Sequence, residues 1–216
     1  MSTGPTSLSN VAVEKAKRTA AQIEADEKEL VLLTLDQEIA FELGQSIRSA
    51  YHAQYQHPTI SSDADKESGI AISIQTLNGD PLFSCAAGNQ WAISPNTWSM
   101  AQRKIETAKR YNRSSYLVGQ MSAVAGQSTD HKLDAKLCSD QGGAVPLRMT
   151  GDRISPIAFA VVSGLKPEEN HKLVIEALRK IIKKQQIQAS LGGGALREGV
   201  PISLAKKQLI VFECDR

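Results

Sequence analysis

The chain has 216 residues, of which 41% are hydrophobic, and 25 Lys and Arg against 23 Asp and Glu leave a formal net charge of +2. That length fills one full-sized hydrophobic core, so one domain with polar tails is expected. A charge this close to balance excludes the strongly basic surface of a protein that coats nucleic acid or anionic membrane, although residues 172–216 hold nine cationic against four acidic side chains.

Cys85, Cys138 and Cys214 are widely spaced and form no CxxC pair, which fits a reducing compartment and argues against a zinc or redox motif. The first ten residues are polar and no apolar run approaches a membrane span. A soluble, cytoplasmic protein is the expectation.

In chain order, Val11 to Lys28 is rich in Ala, Glu and Lys and favours helix, but its apolar stripe is thin. Glu29 to Leu35 is a short apolar run, and Asp36 is placed to cap a helix whose inner face is Ile39, Leu43, Ile47 and Ala50. That helix should end near Gln54, and residues 56–68 read as a loop. Gly69 to Thr76 alternates Ile70, Ile72 and Ile74 with smaller residues, the pattern of a strand. Asn78-Gly79 then turns the chain into a partner strand, Pro81 to Ala86.

A helix is predicted over Thr97 to Tyr111, extended or bent through Ser114 to Met121, with a short helical stretch around His131 to Cys138. Ala144 to Met149, a turn at Thr150-Gly151-Asp152, and Pro156 to Val162 form a second hairpin. Pro167 opens a helix to about Gln185, with Glu168 and Glu169 at its positive end and Lys180, Lys183 and Lys184 at its negative one. Gly192-Gly193-Gly194 should break the chain, and Gln208 to Phe212 reads as a strand able to add to an open sheet edge.

No Ser/His/Asp motif, HExxH, P-loop or dinucleotide fingerprint is present. His171 stands beside Glu168 and Glu169, where carboxylates would raise its basicity or the ring would ligate a metal; a surface or interface histidine is the alternative. Arg103 and Lys104 suit the carboxylates of a ligand, or else form a solvated face. Gly142 and Gly143 admit close approach of a ligand to the backbone, or simply solve a turn.

Asp36-Gln37-Glu38-Ile39-Ala40-Phe41-Glu42-Leu43-Gly44, Arg103-Lys104, Ser114-Ser115-Tyr116, Gln141 to Arg148 and Ser163 to His171 occur in an order and spacing that resemble the GlcG-like, haem-degrading-domain superfamily, in its uncharacterised eukaryotic-bacterial branch. The resemblance implies an α+β fold, a central antiparallel sheet of about five strands flanked by helices, profilin-like in layout. Its implied domain spans residues 24–188, after a tail over 1–23 and before a Gly-rich linker and extension over 189–216.

The resemblance further implies a homo-oligomeric ring that binds haem or a related small ligand without robust catalysis. Its cofactor-binding residues would be His171, Arg103, Lys104, Gly142 and Gly143, with His171 the metal ligand and no catalytic residue. Two other roles follow from the same likeness: a scaffold in chaperone-assisted targeting of tail-anchored membrane proteins, and a weak haem-degrading enzyme. Where relatives carry His-Gly-Gly this chain has Gln141-Gly142-Gly143, which removes one imidazole.

Overall fold

A computed structural model describes residues 6–56, 62, 63, 67–125, 134 and 136–195. Helix α1 (Thr6–Lys28) leads into the two-residue strand β1 (Val31–Leu32) and helix α2 (Gln37–Tyr55). The hairpin β2 (Gly69–Thr76) and β3 (Pro81–Gly88) follows, then α3 (Pro95–Tyr111) and α4 (Ser115–Ala125). A second hairpin, β4 (Ala144–Met149) and β5 (Ala158–Ser163), precedes the long helix α5 (Pro167–Ala195).

The five strands form one sheet in the order β1-β4-β5-β2-β3. Both hairpins are antiparallel, and β5 joins them by pairing antiparallel to β2, with Ile72 opposite Val162. The sheet is mixed rather than wholly antiparallel, because β1 runs parallel to β4, Val31 opposite Arg148. Helices α2 and α5 cover one face, burying Leu43, Ile47, Leu173, Ala177 and Leu178 against Ile70, Ile72, Ile74 and Val145. Helix α3 covers the other through Ala101, Ile105 and Ala108, packed on Ala144, Phe159 and Val161.

Local chemistry explains most boundaries. Asp36 caps α2 by accepting a hydrogen bond from the Ile39 amide at 2.8 Å, the interaction that satisfies an otherwise orphaned donor. Pro95 occupies the first turn of α3 after the Ser94–Thr97 capping box. The apolar run at Glu29 to Leu35 pairs over only two residues, since Leu33 turns outward and its amide donates to the Gln185 side chain at 2.8 Å.

The N-terminal segment whose composition favours helix is a long one, held because Ala16 and Ile23 pack inward as α1 lies on α4. Two expectations change. Ser115 begins a separate helix, because Asn112 takes a left-handed φ of 52° and ends α3. Helix α5 continues through Gly192-Gly193-Gly194 to Ala195, so glycine's intrinsic helix cost does not stop it there. Half of the stretch His131 to Cys138, and all of Gln208 to Phe212, lies outside the described residues. No helix among the described residues is long and apolar enough to cross a membrane.

Candidate functional site

The residues expected to bind a cofactor fall mostly in the interior. On α3, Lys104 lies on the same stripe as Ala101, Ile105 and Ala108 and is therefore carried inward, where only 1% of it is exposed. Its ammonium donates to the Val162 carbonyl at 3.2 Å and to Ser163 Oγ at 3.4 Å. Burial lowers its pKa from 10.5 to about 8. Arg103, one residue earlier and so about 100° round the helix, stays half-buried and donates to Asn96 Oδ1 at 3.4 Å. Of the adjacent pair, Lys104 is enclosed and Arg103 only half-buried.

Gly142 and Gly143 thread the chain between α3 and the start of α5. A Cβ on Gly142 would run into the Pro167 carbonyl; one on Gly143, whose φ is 138°, would meet the Val162 carbonyl and lie 3.2 Å from the Lys104 ammonium. Ser115 holds the same segment by donating to the Gln141 carbonyl at 2.8 Å and accepting from the Ala144 amide at 3.1 Å. Asn170 closes the turn before α5, accepting from the Leu165 amide and donating to the Leu165 carbonyl.

His171 is 8% exposed, not a surface group. Its ring lies 5.0 Å from that of Tyr116, and its Nδ1 is buried with no hydrogen-bond partner among the described residues. The expected rise in basicity is reversed: burial drives the pKa from 6.5 down to about 4, with Asp26 pulling weakly upward. The acidic neighbours in sequence, Glu168 and Glu169, remain on the outer side of the first helical turn. Lys104, Gly142, Gly143 and His171 thus gather into one packed polar interior, and Arg103 stands apart from it.

A cavity opens elsewhere, where the end of α1, the corner between α3 and α4 and the β4–β5 turn meet. It has a volume of about 680 Å³ and is bounded by Lys28, Arg113, Arg148, Arg153 and Glu27, with Val31, Tyr111, Leu117 and Ile154 supplying apolar surface. A smaller cavity of about 200 Å³ shares Tyr111 and Arg113 and continues the apolar lining with Val118, Met121 and Ala125. None of the five residues picked out from the sequence lines either cavity.

The cleft's cations are fixed by local geometry. Arg148, at the end of β4, donates to the Asn112 carbonyl at 2.7 Å, to Asn112 Oδ1 at 2.8 Å and to the Ile154 carbonyl at 3.3 Å. Arg113 pairs with Glu24 at 2.7 Å. Asp152 accepts from the Ile154 and Ser155 amides, which holds its own pKa low and sets the turn that carries Arg153. Arg153 and Lys28 form no ion pair among the described residues.

Glu27 complicates the charge. It accepts from the Ser114 amide at 3.3 Å through one oxygen, while the other is buried without a partner. Burial raises its pKa, against the opposing pull of Ser114, Arg148 and Arg113. With Glu24 paired to Arg113, the cations Lys28, Arg148 and Arg153 stand against Glu27 and Glu29, and the lining is left net cationic.

This arrangement suits a ligand with a flat apolar body and carboxylate groups. A tetrapyrrole's propionates would be met by Arg148, Arg153 and Lys28, and Tyr111 and Met121 belong to residue types that ligate haem iron. His171 fits that role less well, since its ring is enclosed. In the sequence Arg148 marks only the end of a strand, and no local signal sets Arg113, Arg153 or Glu27 apart. They lie far apart along the chain and meet only when the second hairpin folds back on the α3–α4 corner.

Comparison with known proteins places this architecture. A family model described as haem degrading protein, HbpS-like, matches residues 35–179. A UPF0303 protein of Zymomonas mobilis is 32% identical over 190 residues, covering 83% of this chain and 92% of the relative. A UPF0303 protein of Saccharomyces cerevisiae is 30% identical over 157 residues, covering 73% and 80%. Among solved structures, the Ybr137w protein superposes with a TM-score of 0.67 at 26% identity over 85% of this chain and 99% of that one. HbpS shares the fold, with a TM-score of 0.50 at 20% identity over 71% and 94%. The chain belongs to the family of HbpS-like haem-degrading proteins.

Proposed function

We propose that the protein binds a carboxylate-bearing tetrapyrrole, haem among them, in the cleft between α1, the α3–α4 corner and the β4–β5 turn, and that binding rather than turnover is its principal task. The observation that carries this reading is the combination, in one cavity of about 680 Å³, of Arg113, Arg148, Arg153 and Lys28 with the apolar surface of Val31, Tyr111, Leu117 and Ile154. Guanidinium groups hold carboxylates through paired hydrogen bonds, and the apolar wall takes the body of the ligand. The haem-degrading description of the family supports the same class of ligand. The reading extends to a cytoplasmic homo-oligomer, for which Trp91, 87% exposed, offers a natural anchor between copies.

Titration of the purified protein with hemin tests the proposal. A saturable shift of the Soret band is expected, weakened severalfold by Arg148→Ala or Arg153→Ala and little changed by His171→Ala. A shift abolished by His171→Ala and indifferent to the arginines would move the site to the histidine. Turnover is a separate question, read from loss of the bound spectrum in air with a reductant.

A further inference from the structure

The sheet ends at β3, and among the described residues no strand pairs with its outer side. Folded proteins that leave an edge to solvent blunt it with charge, proline or a bulge, because its backbone donors and acceptors invite another strand. Here Pro81 and the irregularity beside it sit at the first end only, and Phe83 to Gly88 runs in regular register against β2 without a charged residue.

Helix α2 lies directly over this strand, since Gly44 abuts Phe83 and Gly88 abuts Tyr51. Its exposed side chains therefore flank the edge. Near the start of the strand Phe41, 53% exposed, meets the Phe83 ring edge-on at 6.0 Å, and Glu38 stands one helical turn before it. Toward the other end Arg48 lies close enough to Cys85 and His52 for its charge to act on both. Glu38 and Arg48 are exposed, and neither forms an ion pair among the described residues.

The order of side chains along β3 fits a second β3 running the opposite way. A two-fold axis perpendicular to the sheet at Cys85 keeps every side chain on its own face and sets Phe83 opposite Ala87 and Ser84 opposite Ala86. A large ring thus meets a small neighbour at both ends of the ladder. The same axis turns the Glu38–Phe41 end of one α2 toward the Arg48 end of the other, so a carboxylate and an aromatic ring meet a guanidinium. Moving the axis to Ser84 would draw Pro81 and its irregularity into the ladder, and moving it to Ala86 would leave Phe83 beyond Gly88.

We propose that β3 pairs antiparallel with β3 of a second copy about this axis, joining two five-stranded sheets into one of ten strands. The pairing gives an interface to the homo-oligomer proposed above and rests on that reading. It uses the sheet edge opposite β1 and β4, whose Val31 and Arg148 line the cleft, so the cleft stays open.

Sedimentation velocity of the full chain tests it, because Ser84 and Ala86 are exposed and oppose each other across the axis. Ser84→Lys with Ala86→Lys puts like charges face to face and should halve the mass of the particle. Ser84→Lys with Ala86→Glu sets each lysine against a glutamate of the other copy and should restore it. A second measurement uses Cys85, which faces its own copy at about 5 Å between Cα atoms, within disulfide reach. Diamide, which takes up the two thiol hydrogens, should link the parent into a covalent dimer and leave Cys85→Ser unlinked. An oligomer whose mass is the same in the double-lysine variant would overturn the interface alone, as would equal loss in both double variants or linkage that survives Cys85→Ser. A monomeric parent would overturn the homo-oligomer and the interface together.

Discussion

The interior around Lys104 and the cleft around Arg148 draw on the same kinds of residue and use them oppositely. In the interior, Lys104, Asn170 and His171 are surrounded: Lys104 donates to the Val162 carbonyl and Asn170 bonds both the amide and the carbonyl of Leu165, while His171 packs against Tyr116. In the cleft, Arg148 and Arg113 are anchored along one side, while Arg153 and Lys28 remain unpaired within the described structure. A polar group whose capacity is used by the fold specifies shape; one held in place with capacity left over is available to a ligand. The contrast teaches that a cluster of chemically suggestive residues in a sequence is not by itself a site.

The sharpest way to break the contrast is Gly143→Ala. A side chain there combines a left-handed backbone with overlap against the Val162 carbonyl and the Lys104 ammonium, so a loss of about 4 kcal/mol is expected in denaturant unfolding. A loss under about 1 kcal/mol would mean that the interior is looser than its packing implies.

Next in size is the pH response of His171. Its folded pKa of about 4 lies below the unfolded 6.5, so the unfolded chain binds more protons between those values and stability falls as pH drops through that window. The loss should approach about 3 kcal/mol near pH 4, and His171→Phe should remove that part of the slope. Glu27 in the cleft has the opposite sign. Its folded pKa is raised, so the stability it contributes below pH 4.5 is lost as pH rises above that value. Glu27→Gln should flatten the decline, measured as the difference between the two proteins' unfolding curves.

The smallest expected effect on stability is at Arg153. Arg153→Ala should leave unfolding within about 0.5 kcal/mol of the parent while weakening hemin binding severalfold. A variant that melts early without losing affinity would reverse the roles assigned to the two regions.

Much of the fold was legible because it rests on local signals. The alternation of Ile70, Ile72 and Ile74, the Asn78-Gly79 turn, the Asp36 cap and the apolar face of α5 each state their structure within a few residues. What escaped depends on distant partners. The N-terminal segment shows its helix in its composition, but its thin stripe does not show that it packs on α4. The parallel pairing of β1 needs Arg148 and Met149, more than a hundred residues away. His171 was read from its neighbours in sequence, yet a helix points each residue in its own direction, and this one faces Tyr116 rather than the glutamates. The cleft, assembled from three separate corners, left no spacing to recognise.

The strand order has a further consequence for how the molecule comes together. Each hairpin joins strands close in sequence, but β2 and β5 meet across some ninety residues, and β1 finds β4 across more than a hundred. Closing such loops costs entropy before any contact returns it, so the β2–β5 seam should be the slow step of folding. Mutations there, such as Ile72→Val or Val162→Ala, belong in the folding arm of a chevron plot if that seam forms the nucleus, and in the unfolding arm if it closes last.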